Sequence, residues 1–283
     1  MALLALAMAS AAAAGPLGVF VSIPPQKFLA QRVGGDLVDV SVMVPPGANP
    51  ATFEPRPRQM AALSSARLYF AAGVPFEHAW LDRFASAAPG LEIVHTDRGI
   101  QKIPLPKNPL EQGGHSHEGV LDPHVWTDPL LAAQMAGNMA DALATADPGN
   151  KDVYRENFRR LSRELRELDA YLRGLFSGLS GGRFLVFHPS WGYLAKAYGL
   201  VQVPVEIQGK EPKPCQLAEI IAFARREGIR VIFVQPQFSQ KSAQTLARSI
   251  DGRVVVADPL AEDHIHNLRR VGQKFAQALS PEG

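Results

Sequence analysis

The sequence predicts an α/β protein of two lobes joined by one long helix, and three observations carry that reading. Short β-branched runs alternate with amphipathic stretches along the chain, the pattern of a parallel sheet covered by helices on both faces. Near the middle, Tyr154, Phe158, Leu161, Leu165, Leu168, Leu172 and Leu175 recur at spacings of 4, 3, 4, 3, 4 and 3. That apolar stripe belongs to an amphipathic helix of about 28 residues, about 40 Å long. Beyond it the strand–helix alternation resumes. A length of 283 residues with 46% hydrophobic content suits one large or two medium domains and excludes a disordered chain.

In chain order, Met1–Gly15 (MALLALAMASAAAAG) is an apolar run ending in small residues. It is shorter than the roughly 20 apolar residues of a membrane-spanning helix and reads as the remnant of a secretory signal peptide. No cysteine stands near its cleavage zone for lipid attachment, so a soluble exported protein is expected. The first lobe is placed at residues 16–148. Its strands are Leu17–Ile23, Val38–Val44, Arg67–Ala71 and Glu92–His95, and its helices include Pro25–Val33, Arg58–Ser65, Glu77–Ala87 and Pro129–Ala146. Ile103–Gly119, rich in Pro, Gly and Asn without periodicity, reads as a mobile loop. The linking helix occupies 149–178 and ends at the glycines of 178–182. A coiled-coil dimer seam has the same period, but a helix of this length matches the height of a two-domain molecule. The second lobe, 179–283, carries strands Phe184–Phe187, Val201–Val205, Arg230–Val234 and Arg253–Ala257. Helices Tyr193–Tyr198, Leu217–Glu227, Lys241–Ile250 and Asp263–Leu279 complete it.

Charge and cysteine content narrow the function. Lys and Arg number 29 against 27 Asp and Glu, a formal charge of +2, too small for a nucleic-acid surface. Cys215 is the single cysteine, which excludes an intrachain disulfide framework and CxxC motifs; it reads as a small loop residue. Ligands of open α/β sheets bind beyond the carboxyl ends of the strands. There the sequence places His188, Gln235 and Asp258 in the second lobe. In the first lobe the corresponding places hold the Pro45–Pro57 segment and Gly73–His78, with His124 just before a helix. Histidines and a carboxylate at strand ends of both lobes suit a metal held in a cleft. Each also has a plain structural alternative: a packed His124 or His188, a turn-capping Asp258.

The motifs resemble those of the zinc- and manganese-binding solute-binding proteins of metal-uptake ABC transporters, the cluster A-I family. They are Pro45-Pro46-Gly47-Ala48-Asn49-Pro50 through Phe53-Glu54-Pro55, Asp122-Pro123-His124-Val125-Trp126-Thr127-Asp128-Pro129, and Phe187-His188-Pro189-Ser190-Trp191-Gly192-Tyr193. Ala197-Tyr198-Gly199-Leu200, Gly209-Lys210-Glu211-Pro212, Gln235-Pro236-Gln237-Phe238-Ser239 and Asp258-Pro259-Leu260 complete the set. They run in family order from about residue 17 to 280. The resemblance implies two α/β lobes fixed by one rigid helix, with a metal cleft between them. It also implies three metal ligands here: His124, His188 and Asp258.

A fourth family ligand, a histidine in the Gly-Ala-x-Pro-His-x-Tyr-Glu-Pro motif, is replaced by Ala51, which cannot coordinate. His78 or Glu77 in the neighbouring strand-end loop is the candidate substitute, with water next; the plain alternative for His78 is an exposed helix-start histidine. His115 and His117, beside Glu111 and Glu118, occupy the position of the family's histidine-rich loop and are candidates for transient zinc capture. His264 and His266 are assigned surface or packing roles. Imidazole donors favour zinc over manganese, and manganese-type members usually carry glutamate where His188 stands. The resemblance thus implies a monomeric periplasmic protein, not an enzyme, that captures zinc and delivers it to an ABC permease. A divergent member with weakened metal binding, acting as a metal buffer or chaperone or binding another ligand, is the alternative that Ala51 raises. A metal-dependent hydrolase is the remote one.

Overall fold

The computed structural model describes residues 15–106, 108, 120–207 and 209–280. Residues 1–14 of the expected signal segment, and the loop histidines His115 and His117, lie outside them. Strands β1 (Leu17–Val21), β2 (Val38–Val42), β3 (Leu68–Ala71) and β4 (Glu92–His95) form a sheet in the order β2-β1-β3-β4, every pair parallel. Strands β5 (Arg183–Val186), β6 (Val201–Pro204), β7 (Val231–Val234) and β8 (Arg253–Val256) repeat it as β6-β5-β7-β8, again all parallel. Parallel neighbours need crossover connections. These contain α1 (Pro24–Gly34), α2 (Pro57–Leu63) and α3 (Glu77–Ala87) in the first lobe, and α6 (Gly192–Tyr198), α7 (Pro214–Arg226) and α8 (Gln240–Ser249) in the second. Central β3 and β7 are buried along their whole length, which is why Leu-Tyr-Phe-Ala and Val-Ile-Phe-Val read as unbroken apolar runs instead of alternating. In each lobe the chain steps from the first strand to one side, then crosses to the other. The topological switch points therefore lie between β1 and β3 and between β5 and β7.

Helix α4 (Pro129–Ala146) starts cleanly because the Asp128 carboxylate accepts from Leu130 N at 2.7 Å and Leu131 N at 3.3 Å, with Pro129 in the first turn. Helix α5 (Lys151–Leu175) has 25 residues, about 37 Å at 1.5 Å per residue. Its apolar stripe serves both lobes: Tyr154, Leu161 and Leu165 enter the core of the first, Leu168 and Leu172 that of the second. It ends at Leu175, earlier than the glycines at 178–182, because Phe176 leaves helical geometry and Gly178 turns the chain with φ +85°. The last helix, α9 (His264–Leu279), packs on it so closely that a Cβ at Gly272 would lie 2.3 Å from a Leu172 methyl carbon.

The lobes are tied in several further places. Tyr193 and Leu260, from the second lobe's stretch of chain, are buried in the first lobe's core. Trp126 Nε1 donates to the Pro259 carbonyl at 2.8 Å. Tyr193 donates its hydroxyl to the Asp122 carbonyl at 2.8 Å and accepts from Ile103 N at 3.1 Å. Burial raises the Tyr193 phenol to about 12, so that donor stays protonated.

Two expectations need correction. Cys215 is not a loop residue: it is exposed in the first turn of α7, where Pro214 starts the helix. The stretch beginning at Ile103 is not irregular at its start, which pairs with the residues that follow Gly119. Pro104 and Leu121 form an antiparallel bridge, with Leu105 N to Val120 O at 3.0 Å and Asp122 N to Ile103 O at 2.8 Å. The two histidines of α9 take the surface and packing roles expected of them. His266 is on the surface, 2.9 Å from Asp263, whereas His264 is fully buried near the Phe28 ring, 6.3 Å between centroids.

Candidate metal centre

A cavity of about 670 Å³ opens between the lobes. The first lobe lines it with Asn49–Ala51, Gly73–Pro75, His78, His95 and His124; the second contributes His188, Gln235, Gln237, Phe238 and Leu260. The second-lobe residues follow β5, β7 and β8, so the wall stands at the carboxyl ends of the strands, around the switch point.

His124 and His188 face each other across the lobes with ring centroids 5.2 Å apart at 74°. Each ring is held through Nδ1. Asp122 Oδ1 lies 2.7 Å from His124 Nδ1 and also accepts the His124 backbone N–H at 2.9 Å. Glu206 Oε1 lies 2.8 Å from His188 Nδ1. An imidazole that gives its Nδ1 proton to a carboxylate presents Nε2 as a lone pair, the form that binds a metal. Asp122 is fully buried and Glu206 nearly so. Gln235 fixes the His188 backbone, accepting from its N–H at 3.3 Å and donating to its carbonyl at 2.5 Å. Phe238 stacks on the His188 ring at 5.3 Å, and Trp126 packs edge-on to His124 at 5.3 Å.

Asp258 follows β8, as expected. Its Oδ1 accepts from Leu260 N at 2.9 Å and from Gln237 Nε2 at 3.2 Å. Gln237, Pro259 and Leu260 line the cavity while Asp258 itself does not. Among the described residues no three His, Cys, Asp or Glu side chains stand in a preformed metal cluster. His78 and Glu77 both line the cavity. The Glu77 oxygens accept from the Ala72 and Gly73 backbone at 2.7 and 2.9 Å, and burial raises its carboxyl above the usual range. Its present task is therefore to fasten the end of β3 to the start of α3. Ala51 lines the same cavity and brings no donor to it.

The sequence reading missed two participants. Glu206 has no sequence neighbour that betrays it; it meets His188 because β6 pairs with β5. His95 was legible as the final residue of a strand but was assigned no role.

Comparison with known proteins now bears on this geometry. The chain matches the family described as "ZnuA: Zinc-uptake complex component A periplasmic" over residues 19–278. It belongs to that family. The high-affinity zinc uptake system protein ZnuA of Bacillus subtilis (strain 168) is 29% identical over 256 residues, covering 86% of this chain and 78% of that protein. A crystal structure of ZnuA superposes with a TM-score of 0.87 at 38% identity, covering 94% of this chain and all of that one. The iron-binding protein YfeA of Yersinia pestis is 27% identical over 241 residues, covering 82% of this chain and 75% of that protein. Proteins named for different metals thus share this architecture. Metal choice must then rest on the side chains at the cavity.

Proposed function

We propose that this protein captures zinc outside the cytoplasmic membrane and hands it to the permease of an ABC uptake transporter. The observation that carries the reading is the His124–His188 pair, one imidazole from each lobe, 5.2 Å apart and each backed by a buried carboxylate. Membership of a periplasmic zinc-uptake family supports it, as does imidazole's preference for zinc over manganese. Asp258 is the third ligand, released from Gln237 as the ion enters. The fourth position falls to water or to His78, because Ala51 leaves it open. The protein performs no chemistry on its cargo. Ligands drawn from both lobes let the ion fasten the cleft, and the permease reads that closed state. Interlobe bonds at Trp126 and Tyr193, with α5 running through both cores, restrict the opening to loop movements.

The donor missing at Ala51 specifically favours a second reading, a low-affinity member serving as a metal buffer or chaperone. Titration of chelator-stripped protein with zinc separates the two. Tight binding of one equivalent, lost in His124→Ala and His188→Ala, supports uptake. Binding too weak to compete with a micromolar chelator supports the buffer. Because the imidazoles bind as neutral bases, affinity should decline as pH falls below about 6.5.

A further inference from the structure

Asp122, the carboxylate behind His124, belongs to the first lobe but is gripped from the second. Tyr193 donates its hydroxyl to the Asp122 carbonyl at 2.8 Å. Gly192, one residue earlier, comes so close that a Cβ there would lie 2.5 Å from Asp122 Oδ2. The same point is 3.6 Å from Gln202 Nε2. The two atoms therefore lie within about 6 Å of each other, the span of two hydrogen bonds through one water.

Both atoms are buried, and neither has a hydrogen-bond partner among the described residues. One is an acceptor and the other a donor. The orientation of the amide is fixed by chemistry: Trp191 N donates to its other end at 2.7 Å, which must therefore be the carbonyl oxygen, Oε1. That leaves the amide N–H groups for another acceptor. A buried carboxylate oxygen without a donor, beside a buried amide without an acceptor, is costly for both, and buried waters bind where such groups lie within reach.

Gln202 also shares its strand's face with the support of the other imidazole. Side chains alternate along a strand, so Gln202, Pro204 and Glu206 take the same side. Glu206 continues the pairing past β6, with its N–H on the Phe187 carbonyl at 3.1 Å, and its carboxylate meets His188 Nδ1.

We propose that Gln202 is a positioning residue: through one buried water its amide donates to Asp122 Oδ2, and so fixes from the second lobe the carboxylate that orients His124 in the first. The proposal rests on reading the cavity as a metal site. One segment, from Gln202 to Glu206, then sets both imidazoles, and a displacement of β6 loosens both rings at once.

The test begins with the zinc-free parent protein. A crystal structure that resolves ordered waters should place one water within about 3.2 Å of both Asp122 Oδ2 and Gln202 Nε2; no water shared by the two atoms overturns the proposal. Gln202→Met then removes the amide at similar volume. NMR of zinc-free protein with isotope-labelled histidine, at a pH well above the ordinary histidine pKa, reads each ring's tautomer. His124 of the parent should be the Nδ1–H tautomer, and Gln202→Met should shift it towards a mixture while the His188 signals stay unchanged. Zinc affinity in chelator competition should fall about tenfold, the lower end for a group behind a metal ligand. Gln202→Met also strips Trp191 N of its acceptor, so lost stability alone says nothing about positioning; the His124 tautomer, with His188 as internal reference, does. An unchanged His124 tautomer in the folded variant, or equal changes at both histidines, overturns the proposal. Failure of the uptake reading looks different: the parent itself takes up no tight zinc, while the shared water and the tautomers, read without zinc, remain.

Discussion

Gly192→Ala is the sharpest perturbation of the candidate centre, because it touches no ligand. A Cβ there would lie 2.5 Å from Asp122 Oδ2, 3.5 Å from an Ile103 methyl carbon and 3.6 Å from Gln202 Nε2. The first distance is about 1 Å inside ordinary contact, while the other two are ordinary van der Waals contacts. Asp122 is fully buried, its Oδ1 holds His124 by both ring and backbone, and its Oδ2 has no hydrogen-bond partner among the described residues. The carboxylate must turn, and His124 loses its orienting bond. Disturbing such an outer partner costs about 10–100-fold in metal affinity, or about 1.4–2.8 kcal/mol. Overpacking should add about 1–3 kcal/mol of lost fold stability. Chelator competition measures the first and urea unfolding of the zinc-free protein the second. Gly174→Ala is the control, since nothing stands within 4 Å of its Cβ position; its affinity should equal that of the parent. If Gly192→Ala binds zinc within twofold of the parent while folded, Asp122 does not orient His124.

Other expectations concern the partners and the missing donor. Glu206→Gln should weaken zinc binding by about 10–100-fold while leaving the urea midpoint close to that of the parent, as read by the same two assays. Ala51→His should tighten binding by at least roughly tenfold, since a direct ligand matters more than the outer groups; calorimetry showing no gain would mean the fourth position is already filled. His264, pushed down to about 4 mainly by burial, with the Trp126 backbone close enough to offset this only weakly, has no partner at hydrogen-bonding geometry for either ring nitrogen among the described residues. A histidine depressed in the folded state takes up its proton first in the unfolded chain. Stability should therefore fall as pH drops from about 6.5 towards 4, by roughly 3 kcal/mol in total. His264→Gln should lose that component of the slope in urea titrations of zinc-free protein between pH 7 and 5.

Much of the architecture was legible because it rests on local periodicity. The stripe from Tyr154 to Leu175 announced a long helix, and VIFV and LYFA announced buried strands, since a side chain's face follows from its spacing alone. Helix starts were legible where the cap is chemical, as at Asp128-Pro129. The legible part of the site was that carried by strand ends: His188, Gln235 and Asp258 follow apolar runs. The bridge between Pro104 and Leu121 was not, because pairing across a gap of that length leaves no periodic trace. Cys215 was misplaced for a related reason, with two prolines beside it suggesting a loop where Pro214 in fact begins a helix.

What the sequence by itself determined is the inventory: two sheets of four short strands, one helix able to serve two cores, and donors at strand ends with alanine at position 51. Only the tertiary structure decided the partnerships. Glu206 buttresses His188, and Asp122 turns its unbonded oxygen towards Gly192. These pairs are set by strand order and by helices packing across lobes, and contacts between residues distant along the chain depend on how elements stack, which no local spacing encodes.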